Sequence, residues 1–167
     1  GLTNLQEWLG GTEAQGFDGP GEPVQLEPLA GESVGTATPS LSAQNAIDPG
    51  GDVLAYDFEV YADENLDVLL ADVTDLSEGT GGLTVWTVDT ALVENSLAYW
   101  RVRAGDSLAE GPWTKVEPFF VDELAEPPSV PVPLSPVDTS IDSLVPVLVV
   151  AAVTDPEGQD LAVELEL

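Results

Sequence analysis

Prolines and glycines cluster along this chain, and between the clusters apolar and polar side chains alternate with the two-residue period of a strand. Fourteen prolines and sixteen glycines supply the breaks, which is the punctuation of an all-β protein rather than a helical one. From residue 24 onward seven strand-like runs follow, at 24–29, 40–46, 53–61, 67–73, 83–88, 97–104 and 113–121. In the third, Leu54, Tyr56, Phe58 and Val60 alternate with Ala55, Asp57, Glu59 and Tyr61. In the sixth, Ala98, Trp100, Val102 and Ala104 alternate with Tyr99, Arg101 and Arg103. One apolar and one wet face per strand predicts antiparallel strands in a two-sheet sandwich. Only the first ten residues read otherwise. There Leu2, Leu5, Trp8 and Leu9 share a face at helical spacing and Gly10-Gly11 ends the turn, so a short N-terminal helix is expected.

After the seventh run the chain turns acidic over 122–126 and then proline-rich, Pro127-Pro128-Ser129-Val130-Pro131-Val132-Pro133, a composition that favours an extended, semi-rigid spacer. Beyond it the sequence begins again. A shift of 107 positions places Pro39-Ser40-Leu41 on Pro146-Val147-Leu148, Asp48-Pro49-Gly50-Gly51 on Asp155-Pro156-Glu157-Gly158, and Leu54-Ala55 on Leu161-Ala162. Eight of the 22 positions from 39 to 60 are identical to their counterparts. Leu26-Glu27-Pro28 and Leu134-Ser135-Pro136 match at a shift of 108. This is an internal repeat, whose second copy reaches as far as a third strand within the 167 residues.

The segment Gly79-Thr80-Gly81-Gly82-Leu83-Thr84-Val85-Trp86, then Leu97-Ala98-Tyr99-Trp100-Arg101-Val102-Arg103, then Gly111-Pro112-Trp113-Thr114 and Phe119-Phe120-Val121 resembles a fibronectin type III or related immunoglobulin-like module. The resemblance covers 21–123 and, in part, 128–167. It implies a seven-stranded antiparallel immunoglobulin-like sandwich followed by an incomplete second copy. Two features depart from that pattern: the second strand lacks a tryptophan, and Ala98 stands where the tyrosine corner would place Tyr. Trp86 and Trp100 are therefore expected to fill the core. The organisation that follows is a calcium-loop and helix segment at 1–20, a sandwich at 21–123, a linker at 124–133, and the first strands of a second sandwich at 134–167.

Charge narrows the function classes. With 31 acidic residues against 3 basic ones the net charge is −28, and Cys, His and Met are absent. Disulfides and the usual zinc, haem and thiolate or imidazole chemistries are excluded. Nucleic acid and anionic membrane surfaces are repelled, and cations are attracted. The longest apolar run, 145–153, is interrupted by Pro146 and is too short to span a bilayer. The opening Gly1-Leu2-Thr3-Asn4 lacks the basic and apolar stretches of a secretion signal.

Calcium is the expected cation, at two places. Gly1-Leu2-Thr3-Asn4-Leu5-Gln6-Glu7 resembles the second half of a calcium loop of the EF-hand, dockerin or thrombospondin type 3 kind. That resemblance implies a backbone ligand at Leu2, a side-chain ligand at Asn4 and a bidentate acid at Glu7, beside the plainer reading of a capped helix. The turn Asp48-Pro49-Gly50-Gly51-Asp52 offers two more carboxylates, Asp48 and Asp52. Asp, Pro and Gly build turns at these spacings for conformational reasons alone, and cation binding stands beside that simpler reading.

No nucleophile motif, phosphate loop or cofactor fingerprint is present, so no enzymatic activity is expected. The leading reading is a structural or adhesive module of an extracellular tandem-repeat protein or fibre at a cell surface, whose partners are neighbouring domains or subunits. The alternative is a carbohydrate-binding accessory module of a secreted hydrolase, taking a surface glycan on a platform of Tyr61, Tyr99 or Trp113. That alternative requires at least two of those rings to be coplanar and exposed.

Overall fold

The computed structural model describes residues 19–124, 126–137, 141–143, 145–158 and 160–164. The expected N-terminal helix, with Leu2, Asn4 and Glu7, lies outside the described residues. The chain divides into two compact units, Gly1–Glu123 and Leu124–Leu167.

The first unit is all-β. Its strands are β1 (Val24–Glu27), β2 (Ser33–Val34), β3 (Ser40–Gln44), β4 (Ala55–Tyr61), β5 (Leu69–Ser77), β6 (Leu83–Thr87), β7 (Ser96–Gly105) and β8 (Glu117–Val121). They form a three-stranded sheet in the order β1-β3-β6 and a five-stranded sheet in the order β2-β8-β7-β4-β5. Every pairing is antiparallel except that of β2 with β8. Each of the seven alternating runs holds a strand. The eighth, β2, is only two residues long, too short to show a period, and is fixed by hydrogen bonds from Phe120 and Asp122 to the carbonyls of Glu32 and Val34.

Alternation decides what is buried. From the three-stranded sheet Leu41, Ala43 and Trp86 point inward. From the five-stranded sheet come Tyr56, Phe58, Val60, Trp100, Val102 and Phe119. Phe58 touches both layers, with its ring 6.0 Å from Trp86 and stacked at 6.1 Å and 5° on Trp100. Trp100 is fully buried, and its indole Nε1–H donates to the Pro28 carbonyl at 3.0 Å. That bond satisfies a polar group that burial would otherwise penalise, and it ties the end of β1 to the core.

The outward positions of the five-stranded sheet carry charge. Asp57 lies opposite Arg103 and Glu59 opposite Arg101. The pairs close at 2.8 Å for Asp57 and 2.7 Å for Glu59. Partly exposed pairs of this kind contribute about 0.2–1 kcal/mol each, so they pin the register more than they stabilise the fold. Edge strand β5 is broken by register shifts and by Asp75 at φ +55°, with the Asp75 N–H donating to Asp57. Bulges and acids keep such an edge from pairing with stray strands.

The second unit repeats the internal geometry of the first. Its strands β9 (Pro133–Ser135) and β10 (Val149–Val150) pair Ser135 with Val149 and Pro133 with Val150. These are the counterparts of Glu27 with Ser42 and Gln25 with Ala43, with the same register shift between them. Gly158 N–H donates to Asp155 O at 3.1 Å, as Gly51 does to Asp48 at 3.2 Å, and both glycines hold φ near +70°. Ser129 N–H reaches Thr154 O at 2.8 Å, the counterpart of Gly21 with Ile47 at 2.9 Å. The proline at each β1-type strand end follows a cis peptide bond.

The two units differ in burial. None of the described residues of 124–164 is buried. The counterparts of Leu41 and Ala43, both fully buried, are Leu148 and Val150, which are only half-buried. No strand forms over 160–164, where the third strand of the second copy is expected. In the first unit the equivalent β4 is held between β5 and β7, and the described residues of 124–164 contain no such neighbours.

Candidate cation site

Two loops at one end of the first unit bring three carboxylates together. The β3–β4 loop carries Asp48 and Asp52, and the turn after β7 carries Asp106, with one oxygen from each lying within 4.8 Å of the others. Antiparallel topology makes this meeting necessary, because β4 and β7 are paired from Ala55 with Gly105 to Tyr61 with Tyr99. The residues that precede β4 and follow β7 must therefore share an end.

Two of the three acids are fixed by backbone donors. Asp48 Oδ2 accepts the Asp52 N–H at 2.7 Å, and Asp106 Oδ1 accepts those of Leu108 and Ala109 at 2.6 and 2.7 Å. Gly50 lies between the carboxylates. A Cβ there would approach Asp52 Oδ2 to 2.9 Å and Asp48 Oδ2 to 3.1 Å, so only glycine leaves them free to converge. Gly111 instead permits a close approach of backbone, since a Cβ there would fall 2.5 Å from the Pro20 carbonyl oxygen.

Among the described residues no cationic side chain pairs with the cluster. Arg101 pairs with Glu59, Arg103 with Asp57 and Glu110, and Lys115 with Glu117. Like charges at this spacing repel by roughly 1 to 4 kcal/mol per pair, depending on hydration. Asp48 Oδ1 is buried and has no hydrogen-bond partner among the described residues, an acceptor left unsatisfied there. Three carboxylates with a spare acceptor fit a hard cation such as calcium, which takes 6–8 oxygens and completes its shell with carbonyls and water.

The structure therefore brings Asp48 and Asp52 together and adds Asp106. A lone Asp after Gly105, 54 positions from Asp52, has no local motif. Only the pairing of the third and sixth runs could have pointed to it. In the second copy Asp155 corresponds to Asp48, while Gln159 replaces Asp52.

The three rings of the alternative glycan platform are placed differently. Tyr61 is only 8% exposed, and Tyr99 and Trp113 are half-buried. The guanidinium carbons of Arg101 and Arg103 lie 4.2 and 4.6 Å from the Trp113 centroid, and Arg101 also lies over Tyr61 at 5.6 Å. Among the described residues, ring–ring contacts join Phe58 to Trp86 and to Trp100, all in the core.

Two tyrosine hydroxyls are held protonated. Burial raises Tyr61 above its ordinary value, reinforced by the Glu59 carboxylate that accepts its hydrogen bond at 2.8 Å and opposed by Arg101. Burial also raises Tyr56; Glu78 adds to the shift, and the Ala46 N–H donated to its oxygen opposes it. The unfolded phenols ionise near pH 10. The stability these groups confer is thus whole below about pH 10 and falls as pH rises through their higher folded values. A titration at the phenolate band should show native Tyr56 and Tyr61 ionising later than in urea, with urea resistance declining over the same range. Coincident native and denatured titrations would contradict the burial of these hydroxyls.

Among the described residues no helix is long and apolar enough to cross a membrane. No protein-family model matches the chain, and no curated protein is significantly similar to it.

Proposed function

We propose that this chain is a structural or adhesive module of an extracellular tandem-repeat surface protein or fibre, stabilised by calcium held between the β3–β4 loop and the turn after β7. The observation that carries the reading is the repetition of backbone geometry. Strand register, bulge and glycine turn recur about 107 residues apart, and a chain that repeats one supersecondary unit across a proline-rich connection is built as a string of like modules. The sheet orders β1-β3-β6 and β8-β7-β4-β5 support an immunoglobulin-like sandwich of the fibronectin type III kind. Such modules act through surfaces and spacing, and we read this one as non-enzymatic.

The glycan-binding alternative is the less supported reading. Tyr61 is buried and two guanidinium groups lie against Trp113, which speaks against a platform of free coplanar rings.

Calcium should raise the melting midpoint. With a dissociation constant of about 0.5 mM, within the range of extracellular modules, calcium at about 5 mM stabilises by roughly 1.4 kcal/mol, or about 6 °C for a unit of this size. Melting in EDTA, then in calcium, then in sodium chloride of equal ionic strength separates site binding from screening of the −28 charge. Asp48→Asn and Asp106→Asn should each lose most of the calcium response, while their midpoints in EDTA stay level or rise as repulsion is relieved. A midpoint indifferent to calcium would remove the cation from the proposal.

A further inference from the structure

We infer that the outer face of the three-stranded sheet docks against the same face of a second copy of this chain. The solvent-directed positions of β3 and β6 are Ser40, Ser42 and Gln44 beside Leu83, Val85 and Thr87. β1 adds Val24, opposite Gln44, and Glu27, opposite Ser42, at the sheet's free edge. Glu27 is the single charge on the face, although the chain carries 31 acids. Val24 is 54% exposed and Val85 46%. The outer face of the other sheet carries Asp57, Glu59, Asp72, Arg101 and Arg103 instead.

The second unit keeps the same face free of charge. Its solvent-directed counterparts are Val132, Ser135, Val147, Val149 and Ala151, with Val147 77% exposed. Two copies that have diverged at most positions thus share an outer face poor in charge, with Glu27 of the first copy replaced by Ser135 in the second.

Charge selects the occupant. Two molecules of −28 repel wherever their acids meet, over a Debye length of about 8 Å at physiological salt. Sheets that stack lie about 10 Å apart, so an acid-poor face is where two copies can approach to contact. The footprint is small. Three strands by five residues span roughly 14 by 17 Å, and a face of that size falls well short of the roughly 800 Å² per partner of a standard interface. A single pair of faces therefore associates weakly and reversibly, and strength comes from many modules engaging in parallel, where avidity multiplies affinity by about 10²–10⁴. This setting rests on the tandem-array reading; the contact itself does not.

Sedimentation velocity of the 167-residue chain from about 10 µM to about 500 µM tests it, with calcium response measured separately so that failure of docking and failure of the cation-stabilised array are told apart. The expected result is a weight-average mass that climbs toward two chains with concentration. Association should strengthen as salt rises from about 0.02 M to about 0.5 M, because screening relieves repulsion and no interfacial ion pair is lost. Val85→Asp and Ser42→Asp place an acid at the centre of the face and should weaken association at least about tenfold while melting with the parent. Leu148→Asp, on the opposite face of β10, should leave it intact. A mass that stays monomeric throughout, association that weakens with salt, or loss through Leu148→Asp but not through Val85→Asp would overturn the proposal.

Discussion

Trp100→Ala should destabilise the first unit by about 3–5 kcal/mol, a large share of the 5–15 kcal/mol that holds a typical domain folded. Three losses combine. The indole is fully buried, so its removal forfeits apolar burial and leaves a cavity between the sheets. Its stacking partner Phe58 loses that ring contact. The Pro28 carbonyl also loses its indole donor, and the end of β1 loses this tie to the core. Trp100→Phe separates these effects: it restores most of the volume but not the N–H, and should cost about 1–2 kcal/mol. Urea unfolding followed by far-UV dichroism reads both. A Trp100→Ala chain within 1 kcal/mol of the parent would mean that the two sheets do not close on this residue.

Trp100 is also where sequence pattern and structure agree most closely. Its alternation with Val102 and Ala104 against Arg101 and Arg103 placed it inside, and the pairing with β4 placed the arginines opposite Glu59 and Asp57. Long strands buried on one face carry such a period, so β3, β4, β6 and β7 could be read directly. β2 could not, since two residues have no period and its parallel pairing with β8 is long-range. The fourth run was shifted for a related reason. Its pattern predicts 67–73, but β5 spans Leu69–Ser77, because bulges and the left-handed Asp75 break the alternation beyond Val73.

The candidate cation site divides the same way. Asp48 and Asp52 sit in one turn and share a local signal, whereas Asp106 reaches them only because β4 and β7 are neighbours. What joins the three acids is a tertiary pairing, and local motif reading has no access to it. The calcium-loop residues Leu2, Asn4 and Glu7 lie outside the described residues, so that half of the expectation rests on sequence alone.

The second unit should exchange its amide hydrogens about 10³-fold faster than the core of the first, and proteases should trim 124–164 while leaving the sandwich of the first unit intact. Local opening costs up to the global stability for strands sealed in a core and close to nothing for strands left open. In the first unit the inward side chains of β3, Leu41 and Ala43, are sealed by Tyr56, Phe58 and Trp100 from the facing sheet. Their counterparts Leu148 and Val150 have the same strand register but no facing sheet among the described residues. A two-stranded ribbon is marginal in water, because its hydrogen bonds remain open to solvent and little apolar area offsets the entropy of ordering it. Amide exchange resolved by mass spectrometry should thus show Val149, Val150 and Ala151 near the unprotected rate and Phe58, Trp100 and Val102 near the global limit. The repeat also specifies what would change this result. Strands patterned like β4, β6 and β7, whether from the same polypeptide or another, would seal Leu148 and Val150 as their equivalents seal Leu41 and Ala43, and would carry the second unit's protection up toward that of the first. Strong protection of Val149 and Val150 in the 167-residue chain alone, at concentrations where it sediments as a monomer, would show that the second unit closes by a packing the first does not share.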